Sequence, residues 1–142
     1  MKTRRILILI LAIGILFQCS FYSDALQPRA SDQIVYYNTA MEPSGNGNLD
    51  ISFSIRCTGT MDVLGATSIV VQRYTGTSWL SEFTYNIRDY PTMQTTGKSY
   101  YGLLISYSPR YRNAKYRAQV FFYARNSSGL DTRIGMSNTV ST

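Results

Sequence analysis

No histidine occurs among the 142 residues of this sequence. Histidine is the usual general base near neutral pH and the commonest metal ligand, so its absence excludes a Ser-His-Asp triad, a Cys-His pair and an imidazole metal site. Carboxylates remain as catalytic candidates, but no pair of them stands in a recognisable arrangement, and no calcium-loop spacing occurs. We therefore expect a protein that is not an enzyme and that binds no metal ion or cofactor.

Cysteine is almost as scarce, with Cys19 and Cys57 alone in the chain. Cys19 lies in an N-terminal segment that we expect to be removed, which leaves Cys57 without a disulfide partner. Because Cys57 ends an alternating stretch on its apolar face, a buried and inert thiol is favoured over a nucleophile. An exported domain without a disulfide must rely on its core, as is typical of Gram-positive bacterial exporters.

Long hydrophobic runs are also lacking, since the longest extends over only 12 residues, from Ile6 to Phe17. A transmembrane helix needs about 20 such residues, whereas a shorter run preceded by basic residues is typical of a signal peptide. Small residues at Ser23 and Ala25 fit a signal peptidase site. We expect residues 1–25 to be a signal peptide that is cleaved between Ala25 and Leu26.

Two alternatives to cleavage remain open, namely lipidation at Cys19 and retention of the segment as an anchor. In each of them the domain is exported. We expect a secreted protein, or one associated with the cell surface, whose mature domain does not contact the membrane. Residues 26–32 are predicted to form a short tail and residues 33–142 a single domain.

The remaining chain shows apolar residues at every second position, which is typical of β-strands. The clearest case is "LDISFSIRC", in which Leu49, Ile51, Phe53, Ile55 and Cys57 share one face. Glycine-rich and polar turns, such as "PSGNGN", "TGTS" and "NSSG", separate the strands, and "GTMDVLG" is interpreted as a loop. The other predicted strands are "QIVYYNTAM", "SIVVQRY", "WLSEFTYNI", "YYGLLISY", "KYRAQVFFYAR" and "DTRIGMSNTV".

In the last of these stretches, Ile134, Met136 and Val140 are predicted to share the core-facing side. About seven strands at this spacing favour an all-β fold, in the form of a single antiparallel two-sheet β-sandwich.

Part of the chain resembles immunoglobulin-like domains. The stretch "YRAQVFFYARNSSG" looks like the sixth strand and following turn of fibronectin type III and related sandwiches. This resemblance implies an immunoglobulin-like fold with Tyr116 as the tyrosine-corner residue, its ring in the core and its hydroxyl bonded to backbone upstream. Trp79 lies just past a hairpin turn, outside the positions at which such domains often carry tryptophan.

The mature chain as a whole is similar to a family of small, functionally uncharacterised secreted proteins of Firmicutes. The residues that carry this similarity are "ISFSIRCTGTMDVLGATSIVVQRYTGTSW" and the "YR" that leads into "FFYARNSSG". The family contributes no catalytic residue and no ligand, so the resemblance implies the fold and the export of the chain and nothing about its activity.

Acidic residues are absent from Tyr90 to Leu130, a segment with six basic side chains. Between Leu26 and Asp89, in contrast, acids exceed arginines and the charge is −2. Such asymmetry concerns partners and solubility and does not determine the fold.

The basic charge gathers with tyrosine in one stretch, Ser108 to Gly129. Seven of its residues are candidate ligand-binding positions: Arg110, Tyr111, Arg112, Lys115, Arg117, Tyr123 and Arg125. Arg110, Tyr111, Arg112 and Lys115 are predicted to gather at one loop. Lys115 is also expected to point away from the core, as are Arg117, Tyr123 and Arg125 on the strand that follows. A purely solvated outer face is the alternative interpretation, because central strands often carry aromatic residues for cross-strand pairing.

The function that fits best is a secreted, non-catalytic binding module for an anionic cell-wall polymer, a glycan or a protein partner. The alternative is an exported effector, such as a small antibacterial or toxin-like protein, for which an amphipathic membrane-active helix would be the discriminating feature. Specific nucleic-acid binding is not expected, since the chain has no motif that reads bases.

Overall fold

The computed structural model describes residues 32–142, so the predicted signal peptide, its cleavage site at Ala25 and Leu26, and nearly all of the predicted tail lie outside the described residues. Within 32–142 there are nine β-strands, one short 3-10 turn at Pro91–Met93 and no α-helix. The strands are β1 (Ile34–Gly45), β2 (Asn48–Met61), β3 (Val63–Tyr74), β4 (Trp79–Asn86), β5 (Gln94–Thr95), β6 (Lys98–Tyr107), β7 (Lys115–Asn126), β8 (Gly129–Met136) and β9 (Val140–Ser141).

The strands form two sheets, and every strand pair is antiparallel. One sheet has the order β1-β2-β6, and the other has the order β4-β3-β7-β8, with β5 added to β3 and β9 added to β7. The predicted all-β, antiparallel two-sheet sandwich is therefore confirmed. Seven strands are long, as expected, and the two extra strands have two residues each.

The core lies between the inner faces of β2 and β7, the central strands of the two sheets. Because side chains alternate across a strand, the predicted apolar faces of both strands point into the sandwich. Phe53 of β2 and Phe122 of β7 meet edge-to-face, with ring centroids 5.8 Å apart. The inner faces are fully buried as predicted, at Leu49, Ile51, Phe53, Ile55 and Cys57 on β2 and at Tyr116, Ala118, Val120, Phe122 and Ala124 on β7.

The connection from β2 to β3 differs from the expectation. The stretch "GTMDVLG", predicted as a loop, continues both strands, and only Asp62 separates them. Met61 pairs in the first sheet and Val63 in the second, so the chain crosses the sandwich at this corner. Met61 and Leu64, on either side of Asp62, are both buried, and their spacing of three residues shifts the inward-facing positions by one residue at the corner.

The prediction that Ile134, Met136 and Val140 share a face is wrong. Ile134 and Met136 pair with outward-facing residues of β7, and both are exposed, at 56% and 42%. Val140 belongs to β9, pairs with Tyr116 and is buried. The chain leaves the ladder after Ser137, whose backbone N–H and side chain still bond Ala118, and this break in the ladder changes the face on which the next apolar residue lies.

The predicted turns are confirmed. Asn46 and Gly47, both with positive φ, connect β1 to β2, and this Asn-Gly pair is the preferred two-residue hairpin loop. The segment "TGTS" joins β3 to β4 in the predicted hairpin. Asn126 pairs with Gly129 at the "NSSG" turn.

Tyr116 occupies the position expected of it. Its ring is fully buried at the start of β7. Its hydroxyl donates a hydrogen bond of 3.0 Å to the backbone carbonyl of Tyr111, five residues upstream. This bond ties the β6–β7 loop, which carries three of the candidate binding residues, to the core.

The core contact between the two sheets generates a stability prediction. Phe53→Ala should lower the free energy of unfolding by about 3 to 5 kcal/mol, because it removes a ring from the centre of the sandwich. Phe83→Ala, at a ring that is 42% exposed on the edge strand β4, is the matched control and should cost less. Urea unfolding monitored by circular dichroism measures both values. Equal losses for the two variants would contradict the central role of the β2–β7 contact.

Candidate binding surface

The candidate surface is the outer face of the sheet β4-β3-β7-β8. On β7 this face presents the alternate residues Lys115, Arg117, Gln119, Phe121, Tyr123 and Arg125. Cross-strand pairing places Gln72 beside Arg117, Val70 beside Gln119 and Ile134 beside Phe121. By this register the face carries three basic side chains and, among residues 32–142, no Asp or Glu. The outward orientation predicted for the four candidate residues of this strand is confirmed.

The best-defined cluster on this face surrounds Arg117. Its guanidinium carbon lies 4.1 Å from the centroid of the Trp79 ring, and its Nε donates a hydrogen bond of 2.8 Å to Oε1 of Gln72. Tyr74 packs against the same tryptophan, with ring centroids 5.3 Å apart. Cation–π contact and a neutral acceptor therefore hold the guanidinium in place and leave its charge uncompensated.

A second cluster lies at the β6–β7 loop, around Tyr111. Arg73 stacks on the Tyr111 ring at 4.2 Å, and Arg110 lies 5.7 Å from the same ring. Arg73 also forms an ion pair with Glu82, to which its Nε donates a hydrogen bond. This hydrogen bond raises the pKa of the Arg73 guanidinium. Arg110 and Tyr111 are themselves exposed. The loop thus presents the Arg110 guanidinium beside the Tyr111 ring, which Arg73 holds in place.

Arg112 has a different environment from the one expected for a free binding residue. Its Nη1 donates a hydrogen bond of 3.1 Å to the carbonyl of Asn46 in the β1–β2 turn. The same nitrogen occupies the place of a side chain at Gly47, since a Cβ built there would lie 1.0 Å from it. Arg112 therefore braces two loops against each other, although it remains exposed to solvent.

The seven candidate residues do not form one compact site. Arg110, Tyr111 and Arg112 lie on the loop at one end of β7, and Lys115 and Arg117 follow directly. Tyr123 and Arg125 lie near the other end, and at about 3.3 Å per residue Arg125 is roughly 33 Å from Lys115. The basic residues form an elongated track along one strand, and the aromatic contacts concentrate at its loop end.

None of the five basic candidates forms an ion pair with another residue of the described part of the chain. The ion pairs of residues 32–142 join Arg73 to Glu82, Arg88 to Asp89, and Arg133 to both Asp32 and Asp131. Three arginines outside the candidate track, Arg73, Arg88 and Arg133, thus have acidic partners. Arg112 and Arg117, in contrast, contact a carbonyl, an amide and an aromatic ring.

Sequence reasoning missed Gln72 and Trp79 as members of the surface, and Arg73 as the residue that stacks on Tyr111. Trp79 follows the "TGTS" turn directly, so its pairing with Tyr74 could be predicted from the hairpin. The contact of Trp79 with Arg117 was not, because it depends on β3 lying between β4 and β7 in a defined register.

The described residues offer no enclosed site for catalysis or for a metal ion. Residues 32–142 form no concave pocket and hold no group of three or more metal-ligating side chains. The described part contains no helix long and apolar enough to cross a membrane.

Comparison with protein-family models, with curated proteins and with solved structures finds no match to this chain.

Cys57 lies away from this surface, buried at the end of the β2 inner face and without a disulfide. Burial, with a smaller contribution from the charge of Asp131, raises the pKa of the Cys57 thiol to about 11. A thiol reacts as the thiolate, so both the burial and the raised pKa oppose a nucleophilic role.

The thiol should react slowly in the folded protein. At pH 8.5, labelling of Cys57 by a thiol reagent should be at least about tenfold slower in buffer than in denaturant, because the unfolded thiol has a pKa near 8.5. The folded pKa is the higher one, so the stability contributed by the protonated thiol is complete below about pH 8.5 and declines as the pH rises towards 11. Labelling at equal rates in both conditions would contradict the burial of this strand face.

Proposed function

We propose that this protein is a secreted or cell-surface, non-catalytic binding module whose ligand is an extended anionic cell-wall polymer or glycan. The observation that carries the proposal is the acid-free outer face of the sheet β4-β3-β7-β8, on which Arg117 is held by Trp79 and Gln72 with its charge unpaired. Cations held by neutral groups keep their attraction for an external anion.

The shape of the surface supports a polymer over a small molecule. Small ligands occupy concave sites that bury most of their area, and residues 32–142 form none. A track of cations spread over about 33 Å of strand suits a chain with repeated negative charges, and the exposed ring of Tyr111 offers a surface for a sugar ring.

An immunoglobulin-like fold is part of the proposal. The first, second and fifth long strands share one sheet, and the third, fourth, sixth and seventh share the other. Strands A, B, E and C, F, G of immunoglobulin domains are divided in the same way, and the hydroxyl bond of Tyr116 resembles a tyrosine corner. Domains of this architecture commonly serve as binding modules, an analogy at the level of the fold alone.

The binding test uses charge removal on the track. A triple variant with Arg110→Ser, Lys115→Ser and Arg125→Ser removes three exposed cations and spares Arg112 and Arg117, which have structural contacts. Binding to purified anionic cell walls at low salt should weaken at least about tenfold, while stability changes by about 0.5 kcal/mol or less per site. Sedimentation of the protein with the walls, at low and high salt, measures the binding.

The control triple variant removes the same charge elsewhere, by Arg56→Ser, Arg88→Ser and Lys98→Ser. These residues are exposed and lie outside the track. They should leave most of the binding intact. Equal loss in both triple variants would show attraction by net charge alone, and absence of binding by the unmodified protein at low salt would leave the surface a solvated face.

Export has its own test. The protein released by the producing cells should begin at Leu26, because a short hydrophobic segment followed by small residues at positions 23 and 25 directs cleavage there. Intact-mass measurement of the released material checks this. A diacylglyceryl group on Cys19, or a retained N-terminus, would contradict it.

A further inference from the structure

The two edges of the sheet β1-β2-β6 differ in how their backbone groups are occupied. On the β1 edge, the Asn138 side chain accepts a hydrogen bond from the N–H of Met41 and donates one to its carbonyl, both at 2.9 Å. Asp131 accepts the N–H of Ile34 at 2.9 Å. Pro43 has no N–H to offer. Backbone groups on the β1 edge are therefore already hydrogen-bonded to side chains, which opposes pairing with another strand.

On the β6 edge, side-chain protection of this kind is limited to one end, where the Ser106 carbonyl accepts a hydrogen bond from Tyr85. The direction of the β6 backbone groups follows from the contacts of β1. The N–H and C=O groups of Met41 point away from β2, so Met41 and Ile51 are a non-hydrogen-bonded pair. The N–H and C=O groups of Ile51 therefore point towards β6, where Ile51 pairs with Ile105. By alternation, Tyr100, Gly102, Leu104 and Ser106 turn their N–H and C=O groups away from β2. The Tyr85 hydroxyl, which donates to the Ser106 carbonyl at 3.3 Å, agrees with this direction.

No other strand of residues 32–142 pairs with that side of β6. Large apolar side chains along it are exposed on the sheet's outer face, with Tyr100 at 53% and Leu104 at 59% exposure. Tyr101, Leu103 and Ile105 point inward yet are only half-buried, whereas the inner face of β2 is fully covered. An unpaired edge with apolar residues on both faces is a template for strand addition.

We propose that β6 pairs with β6 of a second copy, antiparallel, with the two-fold axis at Gly102. The sequence "YYGLL" from Tyr100 to Leu104 is self-complementary in this register. Tyr100 of one copy lies opposite Leu104 of the other on the outer face, and Tyr101 lies opposite Leu103 on the inner face. Aromatic–aliphatic pairs of this kind stabilise neighbouring strands.

Charge and size also fit this pairing. Lys98 is the one charged residue of β6, and it falls opposite Ser106 of the second copy, so the two lysines lie at opposite ends of the interface. Gly102 meets its own counterpart at the centre, where the absence of side chains lets the strands approach closely. The paired edges form about six backbone hydrogen bonds and a continuous six-stranded sheet.

The interface consists of one strand from each copy, so we expect a weak dimer, with a dissociation constant on the order of 100 µM. The protein produced from its full sequence should show monomer–dimer equilibrium in analytical ultracentrifugation. Leu104→Lys should weaken dimerisation at least about tenfold, because a charge at the edge opposes strand pairing and the exposed position spares the core. Ile134→Lys, at a similarly exposed residue of the edge strand β8, should leave the dimer intact.

Hydrogen exchange supplies a second measurement. The amides of Tyr100, Gly102 and Leu104 should become protected as the protein concentration rises, while those of Tyr101 and Leu103 are protected throughout. A monomer at all concentrations, dimers that survive Leu104→Lys or dimers that fail with Ile134→Lys would overturn the proposal. An edge that captures an extended peptide of another protein would leave the wild type monomeric, which is the first of these outcomes.

Discussion

The contact between Phe53 and Phe122 joins the two sheets at their centres, and the rest of the sandwich is arranged around it. Each ring belongs to a central strand with a fully apolar inner face, and each central strand carries a neighbour on both sides: β2 holds β1 and β6, and β7 holds β3 and β8. No disulfide links the sheets in residues 32–142. Burial between β2 and β7 therefore supplies the main attraction between the two layers.

That constraint explains which parts of the fold could be predicted from the sequence. The alternation of β2 from Leu49 to Cys57 and of β7 is local, so both strands and the direction of the side chains on these stretches were predictable. The hydrogen bond of the Tyr116 hydroxyl was implied by the resemblance of this strand to immunoglobulin-like domains. The corner at Asp62 and the outward turn of Ile134 and Met136 were not predictable in this way. They depend on where β3 and β8 join β7, and a period-two pattern does not specify partners.

The candidate surface, like the fold, could be predicted only in part from the sequence. Alternation correctly predicted that Arg117, Tyr123 and Arg125 point away from the core, because an outward residue is two positions from the next. The neighbours of these residues come from distant parts of the chain. Trp79 reaches Arg117 across β3, and Gly47 accommodates Arg112 from a different turn. Sequence spacing identified the basic residues of the surface, whereas their supports depend on the sheet register.

The arginines of the described residues differ in whether the groups that hold them are charged or neutral. Arg73 and Arg133, at the margins of the core, pair with carboxylates, which offset the cost of removing a charge from water. Arg117 is equally fixed but rests on an indole and an amide, neither of which cancels its charge. If stability alone governed the outer face, an acid beside Arg117 would serve at least as well as Gln72. A neutral support holds the guanidinium in place and keeps the field of the surface positive, and both conditions favour recognition of an external anion.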